Sequence, residues 1–262
     1  MSKSAATASS STIPSNLPLL ETERYNWEPN EVDGFFKLVR RMDQAESIDD
    51  WSWLLADYIA RGNSKIADEV RIFNMNSGTD CPNAYTDNCQ VGDACYAIKS
   101  EKMYKQTLPY RRRQEYLWDS LDPDTFAKAF LTIVDRANAP VTALRFNQSG
   151  DMRDKTDVLK AERVAQLLDE RNIDVYTYSA SDYVDFSDTD HLTVNMSNAR
   201  RDYGDKHFSA VPQGLEPTDL DHLDETAVQC PYDKSDGADQ FKCGNCRLCF
   251  ESDGPDVYIN IH

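Results

Sequence analysis

The sequence predicts an α/β fold: a partial or full β/α barrel, with an N-terminal helical cap before it and a cysteine-rich tail behind it. Three observations predict it. Across residues 67–213, short β-branched and aromatic runs alternate with amphipathic stretches, a rhythm that implies parallel strands joined by helical crossovers. The stretches before that region carry helical periodicity alone. The region 214–262 is acidic, loop-rich and cysteine-bearing. A doubly wound sheet is the second reading of the same alternation.

Each element has its own signal. Residues 1–20 are rich in Ser, Thr, Ala and Pro and lack the apolar stretch of a signal peptide, so a disordered tail is expected. Residues 21–66 form the expected cap. Phe35, Phe36, Leu38 and Val39 recur at helical spacing within 30–43; Trp51, Trp53, Leu54, Leu55, Tyr58 and Ile59 do so within 48–62. Residues 70–75 read as the first strand, closed by Ser77-Gly78. A helix is expected over 96–117, with a break at Pro109. Another follows over 124–136. Residues 141–146 are a strand ending in Gln148-Ser149-Gly150-Asp151, and 156–171 a helix on Val158, Leu159, Val164, Leu167 and Leu168. Strands are expected at 174–178, 192–196, 207–211 and 257–261. Tyr176 and Tyr178, two apart, share a strand face.

Composition narrows the function. The chain has 262 residues and a net charge of −17, which opposes broad binding to nucleic acid or anionic membranes. It holds 32 Asp against 13 Glu, and only 12 Lys. Such a hydrated surface suits a high-salt cytoplasm, and an ordinary acidic protein is the equal alternative. No apolar run is long enough to span a membrane. The expected location is therefore the cytoplasm, where clustered cysteines bind metal more often than they form disulfides.

Seven cysteines fall into two sets. Cys230, Cys243, Cys246 and Cys249 are separated by twelve, two and two residues. Three thiolates on one tight loop, with a distant fourth, suit a cubane iron–sulfur cluster. A four-cysteine zinc site is the alternative, although structural zinc more often takes two separated pairs. The tail is thus expected to bind metal. Cys81, Cys89 and Cys95 are separated by seven and five residues and have no fourth cysteine. Three ligands leave one coordination position open, which is where chemistry takes place. Their loop follows a strand, the place where a β/α barrel puts its active site. Zinc with Asp80, Asp87 or Asp93 as fourth ligand, or three ordinary cysteines, are the other readings. His191, His207, His222 and His262 show no ligand spacing. Arg111-Arg112-Arg113 and Arg200-Arg201 read as salt-bridged faces.

The order of Cys81-Pro82, Cys89, Cys95-Tyr96-Ala97, then Arg145 to Asp151, Tyr176 to Ser179, and Cys230-Pro231 to Cys249 resembles the phage and plasmid "gene product 88" family. The family's layout in turn resembles radical S-adenosylmethionine (SAM) enzymes. That resemblance implies two [4Fe-4S] clusters, an open one on Cys81, Cys89 and Cys95 and an auxiliary one on the tail set. The spacing departs from the usual three and two residues of those enzymes, and Ala94 stands where they have an aromatic. The resemblance also implies SAM near Ser149, Gly150 and Asp151, with Arg145 able to grip a carboxylate, and a reductant such as ferredoxin or flavodoxin as partner. For Asp151 and Asp154 a helix N-cap is the plainer reading. Catalytic residues and substrate stay open. A zinc-stabilised accessory or binding protein without redox chemistry is the competing function.

Overall fold

A computed structural model describes residues 29–62, 65–84, 89, 95–197, 204–212, 214–221, 223 and 225–260. The stretch 1–20 expected to be a disordered tail lies outside them. Eight strands form one sheet: β1 Ala60–Arg61, β2 Val70–Phe73, β3 Ala143–Phe146, β4 Asp174–Ser179, β5 Leu192–Ser197, β6 Lys206–Val211, β7 Val228–Gln229 and β8 Val257–Asn260. Their order is β1-β2-β3-β4-β5-β6-β8-β7, and every pairing is parallel except β1 with β2.

From β2 to β6 each strand adds beside the one before it. A doubly wound sheet needs a point where that order reverses, so the second reading is corrected. A full barrel is not formed either. β1 and β7 stand at opposite ends of the order, and among the described residues no ladder joins them.

Six longer helices accompany the sheet: α1 Pro29–Asp43, α2 Ile48–Ala56, α3 Tyr96–Met103, α4 Thr107–Ser120, α5 Pro123–Asp135 and α6 Lys155–Asp169. Their starts are chemically marked. Ser47 and Asp50 make a reciprocal capping box for α2. Asp122 caps α5 with Pro123 in its first turn, and Asp154 caps α6. The expected helix over 48–62 stops at Ala56. Tyr58 turns inward instead and stacks on Tyr110 at 5.5 Å, and Ala60–Arg61 joins the sheet. The break expected at Pro109 falls before it, at 104–106, because proline is tolerated in a helix's first turn but not deeper.

Strand alternation divides the core between the two faces of the sheet. Phe73, Leu144, Phe146 and Val175 pack with Trp118, Phe126, Phe130, Val164 and Leu168 of the helices. Leu38, Leu54 and Leu55 of the expected cap join the same cluster. Ile72, Ala143 and Tyr176 point the other way and meet Ile66 and Phe250. Strands buried on both faces read as near-continuous apolar runs, which is why β2 and β3 show little polar alternation. What covers the second face is the cysteine tail, not a layer of helices. Among the described residues no helix is long and apolar enough to cross a membrane.

Candidate functional site

The tail is fastened to the beginnings of the strands. Arg247 pairs with Asp174, the first residue of β4, at 2.5 Å. Lys206, the first residue of β6, donates to the carbonyls of Leu248 and Glu251. Thr193 Oγ1 donates to the Phe250 carbonyl at 2.8 Å, and Asn195 Nδ2 to that of Cys249 at 3.0 Å. Cys243 and Cys246 begin and end a single helical turn, and the Cys243 N–H donates to the Lys65 carbonyl at 3.1 Å.

The first cysteine loop leaves the other end of the strands, after β2. Glu101 of α3 anchors it. Its carboxylate accepts from the Gly78 N–H at 2.7 Å and from the Thr79 N–H at 2.8 Å. Arg111 of α4 neutralises that carboxylate at 2.5 Å. Arg112 grips Asp80 with two bonds of 2.8 and 3.0 Å. The expected salt-bridged character of Arg111 and Arg112 is therefore what the structure has. Asp80 is engaged as an ion-pair partner; Asp87 and Asp93 lie outside the described residues. Cys95 stands at the N-terminus of α3.

The two ends meet in one cavity of about 470 Å³. Cys81, Cys89 and Cys95 line it together with Cys230, Cys243 and Cys249, so six of the seven cysteines share one space. Among the described residues, no group of three or more His, Cys, Asp or Glu is placed to hold a metal ion. The thiols influence one another nonetheless. Burial pushes the Cys243 thiol up to about 11, and Cys249 and Cys230 add to that. Burial likewise raises Cys81, Cys246 and Cys249. With pKa values raised, these groups are neutral thiols near neutral pH; a bound metal would supply the positive charge that favours the thiolate form.

Ser149, Gly150, Asp151 and Arg145 line the same cavity. Asparagine side chains hold the turn at 149–151. The Ser149 N–H donates to Asn74 Oδ1 at 2.9 Å, and the Asp151 N–H to Asn76 Oδ1 at 3.0 Å. The Asp151 carboxylate accepts from Asn83 Nδ2, the Ala180 N–H and the Met152 N–H at 2.7–2.8 Å. Burial raises its pKa to about 6 despite those bonds. Asp151 thus ties together the first cysteine loop and the ends of β3 and β4, while the N-cap role belongs to Asp154. Tyr176 and Tyr178 share the inner face as their spacing requires. Tyr176 packs on Phe250 at 4.5 Å, and Tyr178 on Phe208 at 5.0 Å.

Sequence reading missed Glu101 and the asparagines. The one available signal was Asn74-Met75-Asn76 directly after a strand, two short amides facing one way. Of the histidines, His191 lies 3.1 Å from Asp169 and His207 is buried in β6. His222, His262, Arg200 and Arg201 lie outside the described residues.

The family model described as gene product 88 matches residues 53–252, a span that takes in both cysteine sets and the strands β1 to β7. The chain belongs to the gene product 88 family. No curated protein and no solved structure was found to match it. The resemblance seen in the cysteine order is thereby borne out at the level of the family.

Proposed function

We propose that this member of the gene product 88 family is an iron–sulfur protein of radical-SAM type. One observation carries the reading: six cysteines from two distant sets line a single cavity on the inner face of a parallel sheet. The strand succession β2 to β6 supports an opened β/α barrel, whose interior that cavity would be.

In this reading Cys81, Cys89 and Cys95 hold the cluster with an open position. Cys230, Cys243, Cys246 and Cys249 hold an auxiliary one. A cluster with an open iron, when bound and reduced by an external low-potential donor, would supply the electron for reductive cleavage of SAM. The chain's own residues do the positioning. Glu101 and Arg111 hold the first loop in place beneath α3. Ser149, Gly150 and Asp151 stand where the resemblance puts the amino acid end of SAM, and Tyr178 is in contact with the Cys249 thiol. The partner required is a low-potential reductant such as ferredoxin or flavodoxin, in the cytoplasm of a host cell.

A zinc-stapled accessory protein is the second reading. It is favoured by the tail's thin local structure, which between Cys230 and Cys249 consists of the single turns Pro231–Lys234, Asp239–Phe241 and Cys243–Cys246. A structural metal contributes folding energy to such a segment.

Metal and sulfide analysis of anaerobically purified protein separates the two, with EPR spectra recorded after dithionite and again after SAM. About eight iron and eight sulfide per chain, with one signal altered by SAM, supports the radical-SAM reading. Zinc without iron discards it.

A further inference from the structure

Between the cysteine loop at one end of the cavity and the tail at the other stands a cation that, among the described residues, is paired with no acid. Arg145 is central in β3, in register with Ile72 of β2 and Tyr176 of β4. Its guanidinium lies 4.5 Å from the centroid of the Tyr178 ring. Its Nε is closed off from solvent and has no hydrogen-bond partner among the described residues. The groups that act on its charge are Tyr178, Tyr176, Tyr96 and Cys243. Other arginines of this chain are used differently: Arg111, Arg112, Arg153 and Arg247 are each paired with carboxylates. A partly buried guanidinium without a carboxylate partner gives up hydration that an ion pair would offset. Lys65 lines the same cavity, but its ammonium lies 5.7 Å over the Tyr232 ring.

The geometry points to a ligand. Arg145 lines the cavity with its guanidinium carbon over the Tyr178 ring, and among the described residues no carboxylate pairs with it. A guanidinium is suited to grip the paired oxygens of a carboxylate with two parallel bonds. We propose that the cavity binds a small molecule bearing a carboxylate, with Arg145 as its anchor. The ligand's body would rest against Tyr178, Phe208 and Ile259, which line the same space. A volume of about 470 Å³ suits a small organic molecule. The inference stands on the cavity and on Arg145, and holds whichever metal the cysteines take.

The test uses the full chain, purified anaerobically, with metal content measured on every sample. That assay judges the iron–sulfur reading separately. Thermal unfolding midpoints are titrated with acetate, succinate, citrate, 2-oxoglutarate and single amino acids at constant ionic strength, with inorganic phosphate as the contrasting anion. The expected result is a saturable rise with at least one carboxylate. Arg145→Gln should raise the half-saturating concentration at least tenfold. Arg145→Lys keeps the charge but loses the two-pronged grip; it should also weaken binding, and it serves if the Gln variant does not fold. No saturable rise with any carboxylate would overturn the proposal. So would equal rises in wild type and both variants, or a rise with phosphate alone.

Discussion

Glu101 and Arg111 form a buried ion pair, 2.5 Å between Oε1 and Nη1, directly beneath the first cysteine loop. Because Glu101 also accepts from the N–H groups of Gly78 and Thr79, the pair joins α3 and α4 to the segment that carries Cys81. Removing one partner leaves the other as an uncompensated buried charge. Arg111→Met is therefore expected to cost about 3–5 kcal/mol, read from urea unfolding midpoints. The double variant Arg111→Met/Glu101→Gln should recover part of that loss. A loss under about 1 kcal/mol for the single variant would mean that the pair is solvated.

Gly150 has φ +76°, and a Cβ there would collide with the Asn76 side-chain oxygen. Gly150→Ala should lower the melting temperature through both the backbone strain and the collision. Asn76→Gly in the same chain would remove the side-chain collision but also the bonds Asn76 makes to Asp151, and the Asn76 carbonyl still lies 2.7 Å from that Cβ, so no recovery is expected. Full recovery in the double variant would show that backbone conformation is immaterial at this turn.

Asp151 gives the fold a pH dependence of definite sign. Burial raises its folded pKa to about 6, above the ordinary 3.8. Between those values the folded state holds a proton that the unfolded state has released, so its stability contribution falls as pH rises from about 4 to about 6. In metal-free protein, Asp151→Asn should flatten that part of the stability profile. An unchanged slope would assign it to other groups.

Cys246 is the member of the tail set that does not line the cavity. On the proposed metal sites, Cys246→Ala should remove metal from the tail set while leaving any bound to the first set; retention of full metal would sink the four-cysteine assignment. Cys89→Ala should leave the fold and abolish the metal of the first set. Global unfolding of Cys89→Ala, seen by circular dichroism, would make that set structural.

Much of the fold was legible in the sequence. The helices α1, α5 and α6 and the strands β2 to β6 begin and end within a few residues of their expected places, because their caps and apolar periodicities are local signals. β1 and β7 were missed. Each is a two-residue strand with no periodicity to read. The helix over 48–62 was drawn too long because Tyr58 and Ile59 satisfy helical spacing and serve the core after a turn equally well.

The sequence alone determined the two cysteine sets, the parallel α/β rhythm, the family, and the shared face of Tyr176 and Tyr178. All of these follow from residue identity and short-range spacing. Tertiary structure decided that the sheet stays open, that the tail lies across its inner face, and that both cysteine sets reach one cavity. It also decided which ions are paired: Arg111 meets Glu101, whereas Arg145 meets Tyr178. Pairing across ten residues or more depends on how helices and strands pack, and packing is a property of the whole chain that no local pattern encodes.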